Sequence, residues 1–88
     1  MDPTAHAVSW QGVHATLTPT EYRLLARLAA RPEEVVRRRD LVLAAWPDGA
    51  IVHDNTLDAY LARIRRKLRD AGAPEAIETV RGVGYVFR

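Results

Sequence analysis

Most of the basic residues of this 88-residue chain fall into two clusters, and twelve of its thirteen basic residues are arginine. One cluster runs from Arg37 to Arg39 and the other from Arg63 to Arg69. An arginine guanidinium is a planar fork of N–H donors that can bind a phosphate or the edge of a guanine with two parallel hydrogen bonds. The clusters therefore predict an anionic partner such as nucleic acid, although the net charge is only +2.

Other residue types do not form the patterns of metal binding or catalysis. The chain has no cysteine, and His6, His14 and His53 are not spaced for joint metal binding, so we expect neither a metal nor another cofactor. The sequence contains no G-x-S-x-G motif and no phosphate-binding glycine loop, and Gly82-x-Gly84 alone is too short a signal for nucleotide binding. We therefore expect that the protein is not an enzyme.

The second arginine cluster lies on the longest periodic element, which we predict to be a helix over residues 55–70. Its leucines and isoleucine have the spacing of a narrow core-facing stripe. These residues are Leu57, Leu61, Ile64 and Leu68. At about 100° per residue, the opposite side is basic with small residues at its centre. It comprises Asn55, Ala59, Ala62, Arg63 and Arg66.

A helix with such a face fits the major groove of B-DNA, where side chains opposite the core stripe can reach the base edges. Ala59 and Ala62 would let the backbone approach and can touch thymine methyl groups. Arg63 and Arg66 can pair with guanine or hold phosphates. For a basic helix taken alone, a solvated surface would be the more common explanation, so the neighbouring elements decide.

Four further elements are predicted around this helix. They are a β-hairpin over 8–17, a helix over 18–31, a helix over 37–46, and a hairpin bent at glycines over 77–88. Thr18 and Glu21 match a capping box at the start of the first helix. A hairpin, three helices and a second hairpin predict an α+β fold, namely a winged helix-turn-helix in which the last hairpin is the wing.

The first arginine cluster stands at the start of the second helix, with Arg37 at the N-cap position. Positive charge there opposes the helix macrodipole, so we expect Arg37, Arg38 and Arg39 to lie near phosphates. Trp46, which precedes the third helix, is expected in the core or at its edge, where it could also lie against a phosphate. Arg81 at the wing bend is expected to reach the adjacent minor groove, which attracts arginine where it is narrow.

The length of the chain allows one domain with a modest core. We expect residues 1–7 to be disordered and residues 8–88 to form the domain. No apolar stretch approaches the roughly 18 residues of a membrane span, and the N-terminus lacks the features of a signal peptide. A chain without cysteine also fits the reducing cytoplasm, so we expect a cytoplasmic protein without a membrane partner.

Several segments together resemble the OmpR/PhoB-type effector domain of two-component response regulators. The resemblance extends from about Leu17 to Phe87 and is specific. The matching segments are Leu17-Thr-Pro-Thr-Glu-Tyr-Arg-Leu-Leu25, Val35-Val36, Trp46, Asn55-Thr-Leu-Asp58, Arg63-Ile-Arg-Arg-Lys-Leu68 and Thr79-Val-Arg-Gly-Val-Gly-Tyr85.

The resemblance implies sequence-specific binding of double-stranded DNA by the third helix and the wing. The DNA-contacting positions that it implies are Thr56, Ala59, Arg63, Arg65 and Arg66 on the helix, and Thr79 and Arg81 on the wing. It also implies a contact between RNA polymerase and the loop at 47–54, and head-to-tail dimers on direct repeats. In a full-length protein, a receiver domain phosphorylated by a histidine kinase would control the domain.

The chain departs from the family pattern at four places. Asn55 stands where arginine is frequent, and Ala62 where a polar or basic contact is common, so the base preference is expected to differ. Arg37 replaces the usual serine cap, and the N-terminal sheet, usually four-stranded, has room for two or three strands. Because Ala59 and Ala62 interrupt the basic face, a protein-interaction module is the alternative function, and an isolated enzyme is a distant third.

Overall fold

The computed structural model describes residues 6–10, 13–46, 49, 51–72 and 76–88, with the backbone alone for residues 6–10 and 13–15. It confirms the predicted α+β fold, with three helices and small antiparallel sheets. The elements are β1 His6–Trp10, β2 Val13–Leu17, α1 Pro19–Ala29, β3 Val35–Arg37, α2 Arg38–Ala45, α3 Asp54–Asp70, β4 Ile77–Val80 and β5 Gly84–Phe87.

The N-terminal sheet has two strands, within the two or three that the sequence allowed. β1 and β2 pair antiparallel, with Val8 opposite Ala15. Because β1 begins at His6, residues 6 and 7 belong to a strand, and the expectation that they are disordered is wrong. The reason is that pairing with Leu17 and Thr16 extends the hairpin beyond the alternating apolar pattern. Residues 1–5 lie outside the described part of the chain.

The capping box predicted at the start of α1 is confirmed. The Glu21 backbone N–H donates to Thr18 Oγ1 at 3.2 Å, and the Thr18 backbone N–H donates to Glu21 Oε1 at 2.9 Å. The helix ends at Ala29 rather than at Arg31, because the chain then turns towards β3. Glu33 takes a positive φ of 69° in this turn, and its N–H donates to the carbonyl of Phe87.

The wing sheet contains a third strand that the sequence analysis did not predict. β3 pairs with β5, so the strand order is β3-β5-β4. A three-residue strand is too short to show an alternating pattern, and its partner is distant in the sequence. Gly84 makes the close pairing possible, since a Cβ at this position would lie 1.9 Å from the carbonyl oxygen of Val36.

The predicted apolar stripe of α3 is confirmed as part of the core. Leu57, Leu61, Ile64 and Leu68 are all buried, and they pack with residues of α1, α2 and the wing sheet. The largest fully buried side chains include Leu17, Leu24, Leu28, Leu41 and Val86. The core therefore fixes which side of α3 faces outward.

The starts of α2 and α3 both lack a side-chain cap. Arg37 is the N-cap of α2 and makes no capping hydrogen bond, and α2 itself begins at Arg38. α3 begins at Asp54, one residue before the predicted start, with His53 as its N-cap. The Asp54 carboxylate is bound by Arg38. α2 ends at Ala45, with Trp46 as its C-cap.

Candidate nucleic-acid interface

The side of α3 opposite the apolar stripe is exposed, and we call it the outer face. It comprises Asn55, Thr56, Ala59, Ala62, Arg63 and Arg66. Ala59 and Ala62 leave a shallow centre, and the arginine side chains stand towards the C-terminal half of the helix. Arg66 makes no hydrogen bond or ion pair with the described part of the chain, so its full set of donors can meet a ligand.

Arg63 differs from Arg66 because it packs on an aromatic ring. Its guanidinium carbon lies 4.4 Å from the centroid of the Tyr60 ring. Tyr60 in turn meets Trp46 edge-to-face, with ring centroids 5.2 Å apart and an interplanar angle of 82°. Trp46 and Tyr60 are half-buried against the core. Tyr60 was not among the site residues predicted from the sequence, although a tyrosine three residues before an arginine on a helix indicates such a contact.

Arg38 at the start of α2 binds two carboxylates at the start of α3. Its Nε donates to Asp54 Oδ1 at 3.3 Å, and its Nη2 donates to Asp58 Oδ1 at 2.6 Å and to the Asp54 carbonyl at 3.1 Å. The side chain is 26% exposed. The positive charge that opposes the macrodipole at this helix start therefore has acidic partners within the protein.

Asp58 and Tyr85 connect α3 to the wing. The Tyr85 hydroxyl donates a short hydrogen bond to Asp58 Oδ1. This hydrogen bond, the one from Arg38 and the charges of Arg38 and Arg65 hold the pKa of Asp58 below its ordinary value, against the opposite effect of partial burial. Burial and the bond to Asp58 raise the pKa of Tyr85. Asp58 is thus an acceptor for a helix and a strand at once.

Arg65 makes a parallel connection about two turns further along α3. Its Nε donates to the Ile77 carbonyl at 3.2 Å, and its Nη2 donates to Thr79 Oγ1. The guanidinium carbons of Arg38 and Arg65 lie 5.8 and 5.7 Å from the Tyr85 ring centroid. We call the set of Arg38, Asp58, Arg65, Thr79 and Tyr85 the helix–wing junction. Arg38, Arg65 and Thr79 were each predicted to contact DNA. In the structure they are joined to one another through Asp58 and Tyr85.

The turn of the wing lies beyond this junction and is exposed. Arg81 stands in the turn without a hydrogen bond or ion pair to the described residues, and Gly82 takes a φ of 74°. The Val83 carbonyl accepts from the backbone N–H of Arg38. The start of α2 therefore holds the base of the turn while its tip stays free.

An ion pair between a partly exposed lysine and a buried carboxylate joins α3 to α1. Lys67 Nζ lies 2.6 Å from Oε1 of Glu21, whose side chain is 0% exposed. Burial alone would raise the pKa of Glu21, but the hydrogen bonds from Lys67 and Thr18 and the charge of Lys67 outweigh it and lower the pKa. The other carboxylate oxygen of Glu21 has no hydrogen-bond partner among the described residues. The sequence analysis assigned Glu21 only its capping role.

An open cleft of about 460 Å³ lies beside α2. Its lining combines two arginines, an aspartate and three apolar side chains, namely Arg38, Arg39, Val42, Leu43, Val52 and Asp54. Leu43 and Ile51 are 57% and 90% exposed. Of the predicted loop 47–54, residues 47, 48 and 50 lie outside the described part of the chain.

The described residues contain neither a candidate membrane span nor a candidate metal site. They contain no helix that is long and apolar enough to cross a membrane. They also contain no group of three or more histidine, aspartate or glutamate side chains that could hold a metal ion.

Comparison with known proteins identifies the family. Residues 12–87 match the family model described as "Transcriptional regulatory protein, C terminal". The chain is 36% identical over 87 residues to the phosphate regulon transcriptional regulatory protein PhoB of Escherichia coli, which covers 99% of this chain and 38% of that protein. It is 39% identical over 88 residues to the response regulator ArlR of Staphylococcus aureus, which covers 100% of this chain and 40% of that protein.

A solved structure agrees with these relatives. The DNA-binding domain of the response regulator AdeR, determined in complex with an intercistronic region, superposes with a TM-score of 0.80 at 25% identity, covering 96% of this chain and 85% of that one. The chain spans about 36 to 40% of the length of the curated relatives that it matches. It belongs to the family of C-terminal domains of transcriptional regulatory proteins, the OmpR/PhoB-type winged-helix DNA-binding effector domains of response regulators.

Proposed function

We propose that this domain reads a short duplex site with α3 in the major groove and the wing turn in the neighbouring minor groove. The observation that carries the proposal is the orientation of α3, whose buried stripe leaves the outer face exposed next to the free turn at Arg81. A groove-bound helix needs this arrangement, because its base-reading side chains must be opposite its core contacts. The relative AdeR was crystallised with a DNA region, which supports the same role here.

Base reading is assigned to the outer face. Arg63 and Arg66 would contact guanine edges or phosphates, and Ala59 and Ala62 would touch thymine methyl groups. Asn55 and Thr56, both exposed in the first turn of α3, would contact bases or phosphates at the near edge of the site. Arg81 would enter the minor groove.

Phosphate binding is assigned to the start of α2 and to the helix–wing junction. Arg37 and Arg39 are exposed and have no partner in the described part of the chain. Arg38 and Arg65 donate internally through Nε and Nη2, so Nη1 of each stays available for a phosphate. Thr79 would then orient Arg65, and Trp46 would contact DNA only at its exposed edge.

Salt dependence tests this function directly. The logarithm of the affinity for random duplex DNA should fall linearly with the logarithm of salt concentration, with a slope of about −0.9 for each phosphate contacted. Charge reversal at Arg39 should reduce the magnitude of that slope by about one or more. No detectable binding to duplex DNA at low salt would contradict the proposal and favour a protein-docking module. If the domain binds duplex DNA, selection of bound sequences from a random duplex pool would identify the base sequence of its site.

The complete protein is proposed to be a response regulator of a two-component system. Its relatives in the comparison are more than twice as long as this chain, and we propose a receiver domain, controlled by a histidine kinase, in the bacterial cytoplasm. Two copies would bind head-to-tail on direct repeats. The selected sites should then contain two half-sites about 10 to 10.5 base pairs apart or a multiple of that spacing, and single half-sites would contradict the dimer.

The cleft beside α2 supports a second contact, with RNA polymerase. Val42, Leu43 and Val52 give it an apolar floor next to the loop at 47–54, and Arg38, Arg39 and Asp54 line the rest of it. Leu43→Ala removes apolar surface without placing a new charge beside those arginines, so it should reduce activated transcription in vitro and leave DNA affinity unchanged. A variant that activates normally would contradict the contact. We propose no enzymatic activity for the domain.

A further inference from the structure

Tyr60 links the protein core to an arginine of the outer face. Its ring packs with Trp46 against the core on one side and lies under the Arg63 guanidinium on the other. Arg63 itself is exposed and makes no hydrogen bond with the described residues. Because the core holds Trp46 and Tyr60, the ring is a fixed platform on which a mobile side chain rests.

A guanidinium that lies over an aromatic ring keeps its N–H donors free for a ligand. The attraction acts between the face of the ring and the positive charge, and it consumes none of the hydrogen bonds that the guanidinium can donate. Arginine also carries a large rotamer entropy, and part of it is lost before binding when the side chain is already stacked. Stacking therefore reduces the cost of ordering Arg63 at DNA.

We infer that Tyr60 is a specificity-determining positioning residue, which holds Arg63 in the orientation that reads its base. The inference rests on the proposed function, since it requires Arg63 to contact DNA. Arg66 lies on the same outer face with no aromatic ring recorded beneath its guanidinium in the described part of the chain. The two arginines thus form an internal comparison, one oriented in advance and one ordered only on binding.

The test is a double-mutant cycle of Tyr60→Leu and Arg63→Ala, with Tyr60→Phe as the matched control. Leucine keeps an apolar contact with Trp46 but removes the aromatic face, whereas phenylalanine keeps the face. Binding is measured by fluorescence anisotropy on a duplex that the unmodified chain has selected from a random pool, and on a scrambled duplex of the same composition. Thermal unfolding of each variant reports whether the fold is intact.

Tyr60→Leu should weaken binding to the selected duplex about 3- to 10-fold, and Tyr60→Phe should stay within about twofold. The scrambled duplex should lose less, so the discrimination between the two duplexes narrows. In the Arg63→Ala background, Tyr60→Leu should have no further effect. An equal loss in both backgrounds would overturn the inference, because Tyr60 would then act independently of Arg63.

A second measurement needs no DNA. The ¹⁵N relaxation of Arg63 Nε in the free protein should report a more mobile side chain in Tyr60→Leu and an unchanged one in Tyr60→Phe, with Arg66 as the internal reference. Equal mobility of Arg63 in all three proteins would overturn the inference, even if Tyr60→Leu destabilises the domain. If Arg63→Ala alone leaves DNA affinity intact while the relaxation result holds, the DNA contact assigned to Arg63 under the proposed function is wrong. The packing of Arg63 on Tyr60 is then still supported.

Discussion

The inner and outer sides of α3 both carry basic residues, but only those on the inner side donate hydrogen bonds to other groups in the described part of the chain. On the inner side, Lys67 is bound to the buried Glu21, and Arg65 is bound to the wing strand β4. On the outer face, Arg66 has no partner in the described part of the chain. A cation that already donates to protein acceptors has fewer donors for a ligand, so charge alone does not identify a DNA contact. We therefore assign a folding role to Lys67, a DNA contact to Arg66, and both a folding role and a phosphate contact through Nη1 to Arg65.

The largest effect is expected from Lys67→Met. It leaves the Glu21 carboxylate buried without its cation, and removing one partner of a buried ion pair is strongly destabilising. Because Lys67 is itself partly exposed, we expect the free energy of unfolding to fall by about 2 to 3 kcal/mol. Arg69→Met, on the exposed side, is the control and should stay within about 0.5 kcal/mol. Urea denaturation measures the free energy of unfolding of both variants. An equal loss in both would contradict the different roles of Lys67 and Arg69.

The pH dependence of the same pair sharpens this prediction. The folded-state pKa of Glu21 is lowered, so its contribution to stability is present above the unfolded-state pKa and is lost as pH falls through the folded-state pKa. In Lys67→Met, burial acts without the cation and should raise that pKa, which reverses the sign. The stability difference between the two proteins should therefore begin to shrink above pH 4.5, where the variant carboxyl protonates, and continue to shrink below pH 4.5 as the unmodified ion pair is lost. A constant difference from pH 7 to pH 3 would exclude this coupling.

The next effect, on binding rather than on folding, is expected from Arg66→Ala. If Arg66 pairs with a base, its loss should cost about 1 to 3 kcal/mol on the selected duplex and relax the preference at one position. The free energy of unfolding should not change, since Arg66 makes no internal bond. Anisotropy titrations on matched and single-substituted duplexes measure this, and unchanged affinity for the selected duplex would remove Arg66 from the interface.

A smaller effect is expected from Tyr85→Phe at the helix–wing junction. The variant keeps the ring next to Arg38 and Arg65 but removes the hydroxyl that donates to Asp58. Losing one hydrogen bond to a charged acceptor that keeps Arg38 as its other donor should lower the free energy of unfolding by about 1 kcal/mol. A loss of affinity for DNA that exceeds the loss of stability would instead indicate that the junction sets the angle between helix and wing.

The smallest effect is expected from Arg81→Ala in the wing turn. One exposed arginine in the minor groove should contribute about 1 kcal/mol or less, and only where the groove is narrow. Affinity for duplexes with an A-tract beneath the wing should therefore fall more than affinity for duplexes with G·C pairs there. Equal changes on both would indicate a phosphate contact in place of minor-groove binding.

The sequence was sufficient for the features that depend on local spacing. The stripe Leu57, Leu61, Ile64 and Leu68 follows helical periodicity, so its burial and the exposure of Arg63 and Arg66 were predictable. The capping box at Thr18 depends on residues three positions apart and was also predictable. The wing hairpin over 77–88 was also predictable, from its β-rich runs and glycines, and the family resemblance added the DNA contact expected of Thr79.

The remaining features depend on residues that are distant in the chain, and only the tertiary structure decided them. β3 became a strand because β5 lies beside it with a glycine at the contact, and Glu21 acquired a second role because Lys67 reaches it from α3. The basic clusters in the sequence predicted an anionic partner, but they do not separate Arg65, which is bonded to the wing, from Arg66, whose side chain has no partner among the described residues. Helical spacing determines the face on which a side chain stands, whereas the neighbours that consume its donors are set by packing between elements.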